Sequence, residues 1–436
     1  MGAGRDCSHT TDRPSVNQRP VGGRESSRRW LRWLLGAALV MAALNLRPAI
    51  AGLGPLLQEV REGIGMSGTV AGLLTSLPML CFAAFGGLLP RLGRRFDPTT
   101  VVLAGLGAIT LGLALRTVVG DTASFLAASV LALAGIAVGN VLMPVIVKAW
   151  FPRRVGTMTG VYSMAMALGT AGPAALAVPA AQALGDGSWR VGLGVWAVLA
   201  AAALPLWAVV RRVHGGPPGR PSDGDRGAGG TPASAGTGGA PSRPLRVSRS
   251  PAAWAVAFYF GLQSTAAYSV IGWLPQIFRD AGVSPTTAGA LLACTMGLGV
   301  PLSFLVPAVA ARLPQQGPLA AVLGVAGLLG YTGLWLAPAG GAWAWAVLLG
   351  VSNAAFPLAL ALLGMRARTG EGVARLSAFA QSVGYLISVP GPLLVGALHQ
   401  YTGGWRTPLV LLTALMLAQI VMGWLAGRNR CVDDPS

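Results

Sequence analysis

The sequence predicts an all-α membrane protein in which twelve transmembrane helices form two six-helix bundles related as parallel repeats. Hydrophobic residues make up 53% of the 436-residue chain and charged residues only 11%, less than half of the charged share that is typical of a soluble domain. The apolar residues are grouped in twelve runs, each long enough to cross the ~30 Å hydrocarbon core of a bilayer. Motifs of the first six runs recur in the last six, which predicts an internal repeat.

The twelve apolar runs fall into two groups of six. The first group lies at about 31–57, 67–89, 99–119, 123–148, 156–181 and 190–210. The second group lies at about 252–278, 285–311, 318–338, 341–363, 374–400 and 405–426. The segment between the groups is rich in Gly, Pro and Ser, which predicts a flexible linker because it cannot bury a core. The predicted organisation is an N-terminal tail (1–29), a first bundle (30–210), a linker (211–251), a second bundle (252–427) and a C-terminal tail (428–436).

The basic residues predict how the chain is oriented in the membrane. The formal net charge is +18, from 32 basic and 14 acidic residues. Twenty-six of the 32 lie in the tails, in the linker and in the loops on the same side of the predicted bundle. The opposite side carries five, which are Arg61, Arg116, Arg190, Arg279 and Arg406. Because basic loops stay in the cytoplasm, we expect a multi-pass protein of the plasma (inner) membrane with both termini cytoplasmic. The charge marks that face, and no nucleic-acid partner is expected.

The internal repeat rests on four matched motifs at nearly constant spacing. They are Asn140–Pro144 with Asn353–Pro357, Ser67–Gly72 with Ser284–Gly289, Gly172-Pro173 with Gly391-Pro392, and Trp189-Arg190 with Trp405-Arg406. The offsets lie between 213 and 219 residues. Six helices per half is an even number, so both halves enter the membrane with the same orientation. This arrangement predicts a cavity between the halves at mid-membrane.

The loop between predicted helices 2 and 3 carries a known signature. The stretch from Gly86 to Arg95 reads GGLLPRLGRR, which resembles the motif G-x-L-x-D-R-x-G-R-R of the major facilitator superfamily. The resemblance implies a gating role on the cytoplasmic side for Gly86, Arg91, Gly93, Arg94 and Arg95. It also implies a carrier whose two halves rock to expose a central cavity to each side in turn. Pro90 stands where the family has an Asp that caps a helix and takes part in the gate.

Four further motifs narrow the resemblance. They are Asn45–Ile50 in helix 1, Leu73–Phe82 in helix 2, Gly139–Pro144 in helix 4 and Met158–Ser163 in helix 5. Together they are similar to the cyanate/2-nitroimidazole transporter (CynX/NimT) branch, and the resemblance covers nearly the whole chain apart from the tails and the linker. The known substrates of that branch are small and chemically dissimilar, so the branch does not define the substrate.

Arg47 is the sharpest functional signal in the sequence. It lies about two-thirds of the way through helix 1, where a charged residue costs about 2.5–3.5 kcal/mol on insertion scales. We expect its side chain to face the cavity, where it attracts an anionic or strongly dipolar substrate. The alternative is a structural role, in which Arg47 bonds nearby polar groups or backbone carbonyls.

Other polar and aromatic residues are expected to line the same cavity. They are Asn45, Asn140, Tyr162, Ser163, Gln263, Tyr268, Trp273, Asn353, Gln381 and Tyr385. Asn140 and Asn353 have a second interpretation, since each precedes a proline by one turn and can bond the carbonyl that the proline leaves free. Lys148 is a candidate second cation, or a lysine that reaches the membrane interface. Helix kinks are expected at Pro48, Pro144, Pro173, Pro357 and Pro392.

These residues favour a secondary active transporter and exclude most enzymes. No acidic residue lies in the middle of a predicted span, and the three histidines lie outside the span centres. We therefore expect no catalytic cluster, no metal and no cofactor. The predicted substrate is a small anion or an electron-rich neutral solute, cyanate-like, with a co-transported proton as an option. The alternatives are efflux of a drug or nitroimidazole, then a channel or a non-transporting receptor. We expect a monomer, and import and export remain open.

Overall fold

The computed structural model describes residues 22–92, 97–152, 154–214, 247–367, 369–429 and 432. In this part of the chain the regular structure is entirely helical. The first half contains α1 (Gly22–Leu44), α2 (Pro48–Ala51), α3 (Leu57–Ile64), α4 (Gly68–Leu92), α5 (Pro98–Val118), α6 (Thr122–Trp150), α7 (Val155–Gly185) and α8 (Trp189–His214). The second half contains α9 (Pro251–Asp280), α10 (Pro285–Gly297), α11 (Gly299–Arg312), α12 (Gly317–Leu336), α13 (Ala342–Asn353), α14 (Ala355–Met365), α15 (Gly370–Ser388), α16 (Pro390–Thr402) and α17 (Arg406–Ala426).

These helices form twelve spans in two groups of six, which confirms the predicted fold class. Ten helices or runs of consecutive helices are long and apolar enough to cross a membrane. The helices α4 and α9 complete the twelve. Four spans are discontinuous, because α1–α3, α10–α11, α13–α14 and α15–α16 each follow one path across the bundle.

Side chains at the short loops explain where several helices begin and end. The carboxylate of Asp97 accepts the backbone N–H groups of Thr99 and Thr100 at the start of α5. Asp121 caps α6 in the same way, and the hydroxyls of Ser284 and Thr369 cap α10 and α15. Such caps satisfy N–H groups that have no partner inside the helix. Loops between the spans are therefore short and well defined where they are described.

The helix breaks do not coincide with all of the predicted kinks. Span 1 is interrupted just before Pro48, and span 11 is interrupted at Val389, immediately before the prolines that open α16. Span 10 is interrupted at Ala354, close to Pro357, and span 8 at Leu298, which was not predicted. In contrast, α6 and α7 run through Pro144 and Pro173 without interruption. A single proline removes one backbone bond, and a neighbouring helix can compensate for it.

The halves pack closely through α4 against α15 and α16, and through α7 against α10. We call the end of the bundle where α8 ends and α9 begins the linker end, and the opposite end, with residues 281–284, the far end. Near the far end glycines permit close contact between the halves. A Cβ added at Gly72 would lie 2.8 Å from the carbonyl oxygen of Leu393, and one at Gly289 would lie 2.6 Å from that of Ala174.

Candidate substrate site

The break in span 1 is the centre of the site. Pro48 has no backbone N–H, and its ring excludes the carbonyl four residues earlier, so the helix ends at Leu44. The Asn45 amide nitrogen donates to the carbonyl oxygens of Met41 at 2.8 Å and of Leu199 at 3.4 Å. The sequence had suggested that Asn45 lines the cavity. Asn45 is instead buried against α8, where it secures the end of α1.

Arg47, two residues after Asn45, lies between the two halves. It precedes α2, and its side chain is half-buried. The guanidinium interacts electrostatically with the hydroxyls of Tyr162, Tyr268 and Tyr385, and it lies within hydrogen-bonding reach of the Tyr268 hydroxyl. Tyr162 belongs to the first half, whereas Tyr268 and Tyr385 belong to the second. The structure therefore brings three of the predicted residues, all tyrosines, together around the predicted cation Arg47.

Aromatic rings form a wall beside this cation. The Phe82 ring lies 6.5 Å from the Tyr268 ring and 5.4 Å from the Tyr385 ring, measured between centroids. Phe260 meets the Tyr385 ring edge-on at 5.2 Å. Edge-on and tilted pairs at these distances are favourable. The sequence had not singled out Phe82 or Phe260, since an aromatic residue in an apolar run carries no local sign of its neighbours.

A cavity of about 20 Å³ lies on the far-end side of the helix break. It is lined by the discontinuous segment of span 1, by α4, α5 and α6, and by residues of α9. Arg116 is among the lining residues and is only 1% exposed. The sequence had counted Arg116 only among the basic residues of one side of the bundle and had not included it among the cavity residues. Side chains of a helix point back toward its N-terminus, which here carries the guanidinium into the bundle.

A second cavity, of about 10 Å³, lies within the second half, between α9, α12, α13 and α17. Tyr331 lines it, and 331 − 116 = 215, within the range of offsets of the repeat. Gln263, Asn353 and Gln419 also line it. The Gln263 amide nitrogen lies 3.5 Å from the Asn353 amide oxygen. The Tyr331 hydroxyl and the amide oxygens of Gln263 and Gln419 are buried without a partner in the described part of the chain.

The remaining predicted residues are distributed over several environments. Asn140, Ser163 and Gln381 are half-buried, and the Gln381 amide donates to the Ser377 hydroxyl at 2.7 Å. Lys148 is exposed in the last turn of α6, as its interface interpretation requires. The predicted gating residues lie outside the described side chains; Gly86 and Arg91 belong to α4, and Gly93, Arg94 and Arg95 lie outside the described residues altogether.

The far end is closed by polar bonds between the halves. The Arg279 guanidinium donates to the Glu59 carboxylate at 2.8 and 2.9 Å and to the carbonyl oxygen of Pro55 at 3.0 Å. The Gln276 amide donates to the Gln58 amide oxygen at 3.2 Å. We call Glu59 and Arg279 the far-end ion pair. It joins the third helix of span 1 to the end of span 7.

Trp273 belongs to this closed end. It is fully buried, and its indole N–H donates to the carbonyl oxygen of Pro392 at 3.3 Å. Its ring lies 5.8 Å from the Trp405 ring and 6.4 Å from the His399 ring. The expectation that Trp273 lines the cavity is therefore corrected, because it is buried against Pro392, His399 and Trp405 within the second half.

Comparisons with known proteins agree with this architecture. A family model described as Major Facilitator Superfamily matches residues 33–369. The 2-nitroimidazole transporter of Escherichia coli (strain K12) is 33% identical over 403 residues, which cover 92% of this chain and 96% of that protein. The cyanate transport protein CynX of the same organism is 30% identical over 372 residues, 84% of this chain and 90% of that protein. An inward-facing, occupied crystal structure of a bacterial homologue of the human lysosomal transporter Spinster superposes with a TM-score of 0.74, covering 93% of this chain and 98% of that chain at 14% identity.

Proposed function

Because the chain belongs to the Major Facilitator Superfamily, in the branch of the cyanate and 2-nitroimidazole transporters, we propose that it is a secondary active transporter of a small anionic or electron-rich neutral solute. We further propose that it works by alternating access, in which the two halves rock around a central site. The observation that carries the substrate class is Arg47, a cation at a helix break between the halves.

The surroundings of Arg47 support an anion rather than a cation as substrate. Its described neighbours are neutral hydroxyls of Tyr162, Tyr268 and Tyr385. Among the described residues that line the adjoining cavity there is no carboxylate. An unneutralised guanidinium in a region of low dielectric attracts negative charge far more strongly than the same group in water. A bound anion would also be shared by tyrosines of both halves, which links occupancy to their relative position.

The closed far end supports the alternating-access part of the proposal. The far-end ion pair and the bond between Gln276 and Gln58 join the two halves on that side of the cavity. Arg47, Asn140 and Gln381 keep part of their surface accessible. We propose that in this state the site is reached from the linker end. The opposite state requires the far-end ion pair to separate.

We also propose that both termini face the cytoplasm, that the protein resides in the plasma (inner) membrane and that it acts as a monomer. The asymmetry of the basic residues supports the orientation. Tyr401 lies at the far end and is 91% exposed, so Tyr401→Cys in a chain without its natural cysteines reports the orientation directly. Labelling of this cysteine by a membrane-impermeant maleimide in intact cells is expected. Labelling only after the cells are opened would reverse the orientation.

Counterflow in proteoliposomes tests the function. Liposomes loaded with unlabelled cyanate are expected to take up labelled cyanate when they contain the wild-type protein. Arg47→Gln should reduce the initial rate about tenfold or more, because a hydrogen bond to a charged group contributes about 1.5–3 kcal/mol. Arg312→Gln is the matched control, since Arg312 is exposed at the end of α11. Uptake without stimulation by internal cyanate would indicate a channel, and full activity of Arg47→Gln would remove the proposed role of the cation.

Transport of a nitroimidazole-like ring is the second candidate, and the aromatic wall favours it. Phe82, Tyr268 and Tyr385 present ring surfaces beside Arg47, and aromatic rings stack favourably on one another. The same liposomes loaded with 2-nitroimidazole separate the two. Counterflow of 2-nitroimidazole without counterflow of cyanate would make the ring the substrate and would assign Arg47 to its electron-rich nitro group.

A further inference from the structure

Arg116 is a buried cation that the proposed function does not yet use. It lies in the last turn of α5 and is 1% exposed. Burial of a guanidinium at depth is unfavourable, so buried arginines in membrane proteins are paired with polar groups or mark a pathway. The contacts of Arg116 distinguish these cases.

The protein satisfies only part of this guanidinium. Nε donates to the Ser129 hydroxyl oxygen at 2.8 Å, and Nη1 donates to the carbonyl oxygen of Ala49 at 2.7 Å. The Phe125 ring faces the guanidinium, with its centroid 5.4 Å from the Cζ atom of Arg116. A guanidinium has five N–H donors. All of these partners are neutral, and Nη2 makes no hydrogen bond to a described residue.

The incompletely satisfied guanidinium lines the first cavity. Thr75, Tyr268 and Gly272 line the same space of about 20 Å³. A cavity of this size has room for one water-sized group. Tyr268 connects it to the centre of the site, because its hydroxyl is also within reach of the Arg47 guanidinium. Tyr268 thus lines the cavity together with Arg116 and also lies near Arg47, and no described lining residue is acidic.

The fold by itself does not require a cation at this position. At the repeat-related position of the second half stands Tyr331, which lines the second cavity and is equally buried. The second half therefore packs the same helices with a neutral side chain. Arg116 therefore adds a charge at one of two repeat-related positions, and it does so beside the broken span that carries Arg47.

We propose that Arg116 is a second specificity-determining cation, which binds one end of a small linear anion inside the first cavity. This inference rests on the proposed function and deepens it. Since the cavity admits one water-sized group, a rod-like anion of cyanate size enters with one terminal atom toward Arg116 and leaves the rest near Tyr268 and Arg47. A ring such as nitroimidazole remains at the aromatic wall. Arg116 therefore selects small linear anions over ring substrates.

The test compares the affinities for cyanate and for 2-nitroimidazole in full-length variants, measured by ligand-induced thermal stabilisation in detergent and by counterflow. Arg116→Gln removes the charge and keeps hydrogen-bonding groups. We expect the affinity for cyanate to fall about tenfold or more, as for the loss of a hydrogen bond to a charged group, and that for 2-nitroimidazole to change by less than about threefold. Ser129→Ala removes the acceptor of Nε but leaves the cation, so it should retain cyanate binding within about threefold.

A structural role predicts a different pattern. In that case Arg116→Gln lowers the affinity for both ligands equally, or Ser129→Ala lowers the affinity for cyanate as much as Arg116→Gln does. Either result overturns the inference.

If Arg116→Gln fails to fold, Leu133→Phe provides the test, because Leu133 lines the cavity from α6 and the larger ring fills it. Loss of cyanate binding alone is expected, and retention of cyanate binding overturns the inference. If the wild type binds cyanate but Arg116→Gln is unaffected, only the inference fails. If the wild type binds neither ligand, the proposed function fails with it.

Discussion

The two small cavities are each lined by one residue of a repeat-related pair, Arg116 and Tyr331, but contain different chemistry. In the first half Arg116 faces the cavity, and span 1 beside it is broken before Pro48. In the second half Tyr331 faces the cavity, and the corresponding span, α9, is continuous. The second half instead supplies amides, of which Gln263 and Gln419 have a buried oxygen without a described partner. The comparison leads to the proposal that the first half recognises charge and the second half supplies neutral hydrogen bonds.

The largest expected effect comes from the packing that holds the break in span 1. A Cβ added at Gly169 would lie 2.3 Å from the carbonyl oxygen of Leu44 and 3.0 Å from its carbonyl carbon. Both atoms are backbone, so Gly169→Ala must separate α7 from the end of α1. Overpacking of this kind costs about 1–3 kcal/mol. We expect a clearly lower melting temperature in detergent and a loss of most cyanate counterflow.

Two matched glycines sharpen this prediction. Gly172 lies in the same helix with nothing within 4 Å of an added Cβ, so Gly172→Ala should be neutral or slightly stabilising, because Ala favours a helix by up to about 1 kcal/mol. Gly384 is related to Gly169 by the repeat, since 384 − 169 = 215. There the nearest atom is 2.7 Å away, in the Phe260 ring, and the nearest carbonyl oxygen is 3.1 Å away. Gly384→Ala should be milder, and equal effects in both halves would remove the asymmetry around the break.

The next largest effect is expected from breaking the far-end ion pair. In this pair the cation belongs to the second half, whereas the cation of the first cavity, Arg116, belongs to the first half. The first half supplies the acid, Glu59, and the second half the base, Arg279. Arg279→Gln removes the pair and the bond to the carbonyl of Pro55, which should favour opening of the far end. Spin labels at Val118→Cys and Tyr401→Cys, both exposed, should report a longer and broader distance distribution.

Glu59→Gln is the control for that experiment, because it keeps one acceptor for Arg279. It should shift the label distances less than Arg279→Gln does. A partly exposed ion pair typically contributes about 1 kcal/mol or less, so transport should change only modestly in both variants. An unchanged distribution in Arg279→Gln would show that the ion pair does not hold the far end closed.

The sequence predicted the architecture well because each of its signals is local. Apolar run length defines the spans, and the recurrence of motifs such as Asn140–Pro144 and Asn353–Pro357 defines the repeat. A kink was expected at Pro48, and the structure shows a helix break there, with Arg47 directly before it. The proline is sufficient to predict this break, whereas the role of Arg47 as a cavity cation stays a prediction.

The sequence failed where function depends on the direction of a side chain. Arg116 is two residues from the end of α5, so its position along the span resembles that of a loop arginine. Only the packing of α5 against α6 and the broken span reveals that the guanidinium turns inward. The prediction for Trp273 failed for the same reason, since its partners His399 and Trp405 lie more than 120 residues away in sequence. The signal that was available for Arg116 is the repeat, which pairs it with the buried Tyr331.

The repeat-related asparagines provide a smaller effect that separates stability from transport. Asn353 lies at the break of span 10, where its amide contacts Gln263 and its nitrogen lies 3.8 Å from the Met296 sulfur. Asn140 lies in the continuous α6, is half-buried and makes no hydrogen bond to a described residue. Asn353→Ala should lower the stability by about 1 kcal/mol. Asn140→Ala should leave the melting temperature unchanged and raise the KM for cyanate.

Thermal unfolding and counterflow kinetics on the two variants, measured side by side, test this split. A lower melting temperature for Asn140→Ala would show that Asn140 has a structural partner. An unaltered KM in that variant would remove Asn140 from the substrate path. If both asparagines affect transport alone, the two halves contribute equally to binding and the proposed division between them is wrong.

The smallest effect is expected from Tyr331→Phe, and it is the most direct test of the comparison between the cavities. The Tyr331 hydroxyl is buried without a described partner, and an unsatisfied polar group of this kind costs about 1–3 kcal/mol in the folded state. Its removal should therefore leave the melting temperature equal or slightly higher, with cyanate counterflow unchanged. A fall in cyanate affinity similar to that of Arg116→Gln would mean that the hydroxyl is occupied by a bound water or by the substrate. The second cavity would then take part in substrate binding. The two halves would differ in charge, but both would bind the substrate.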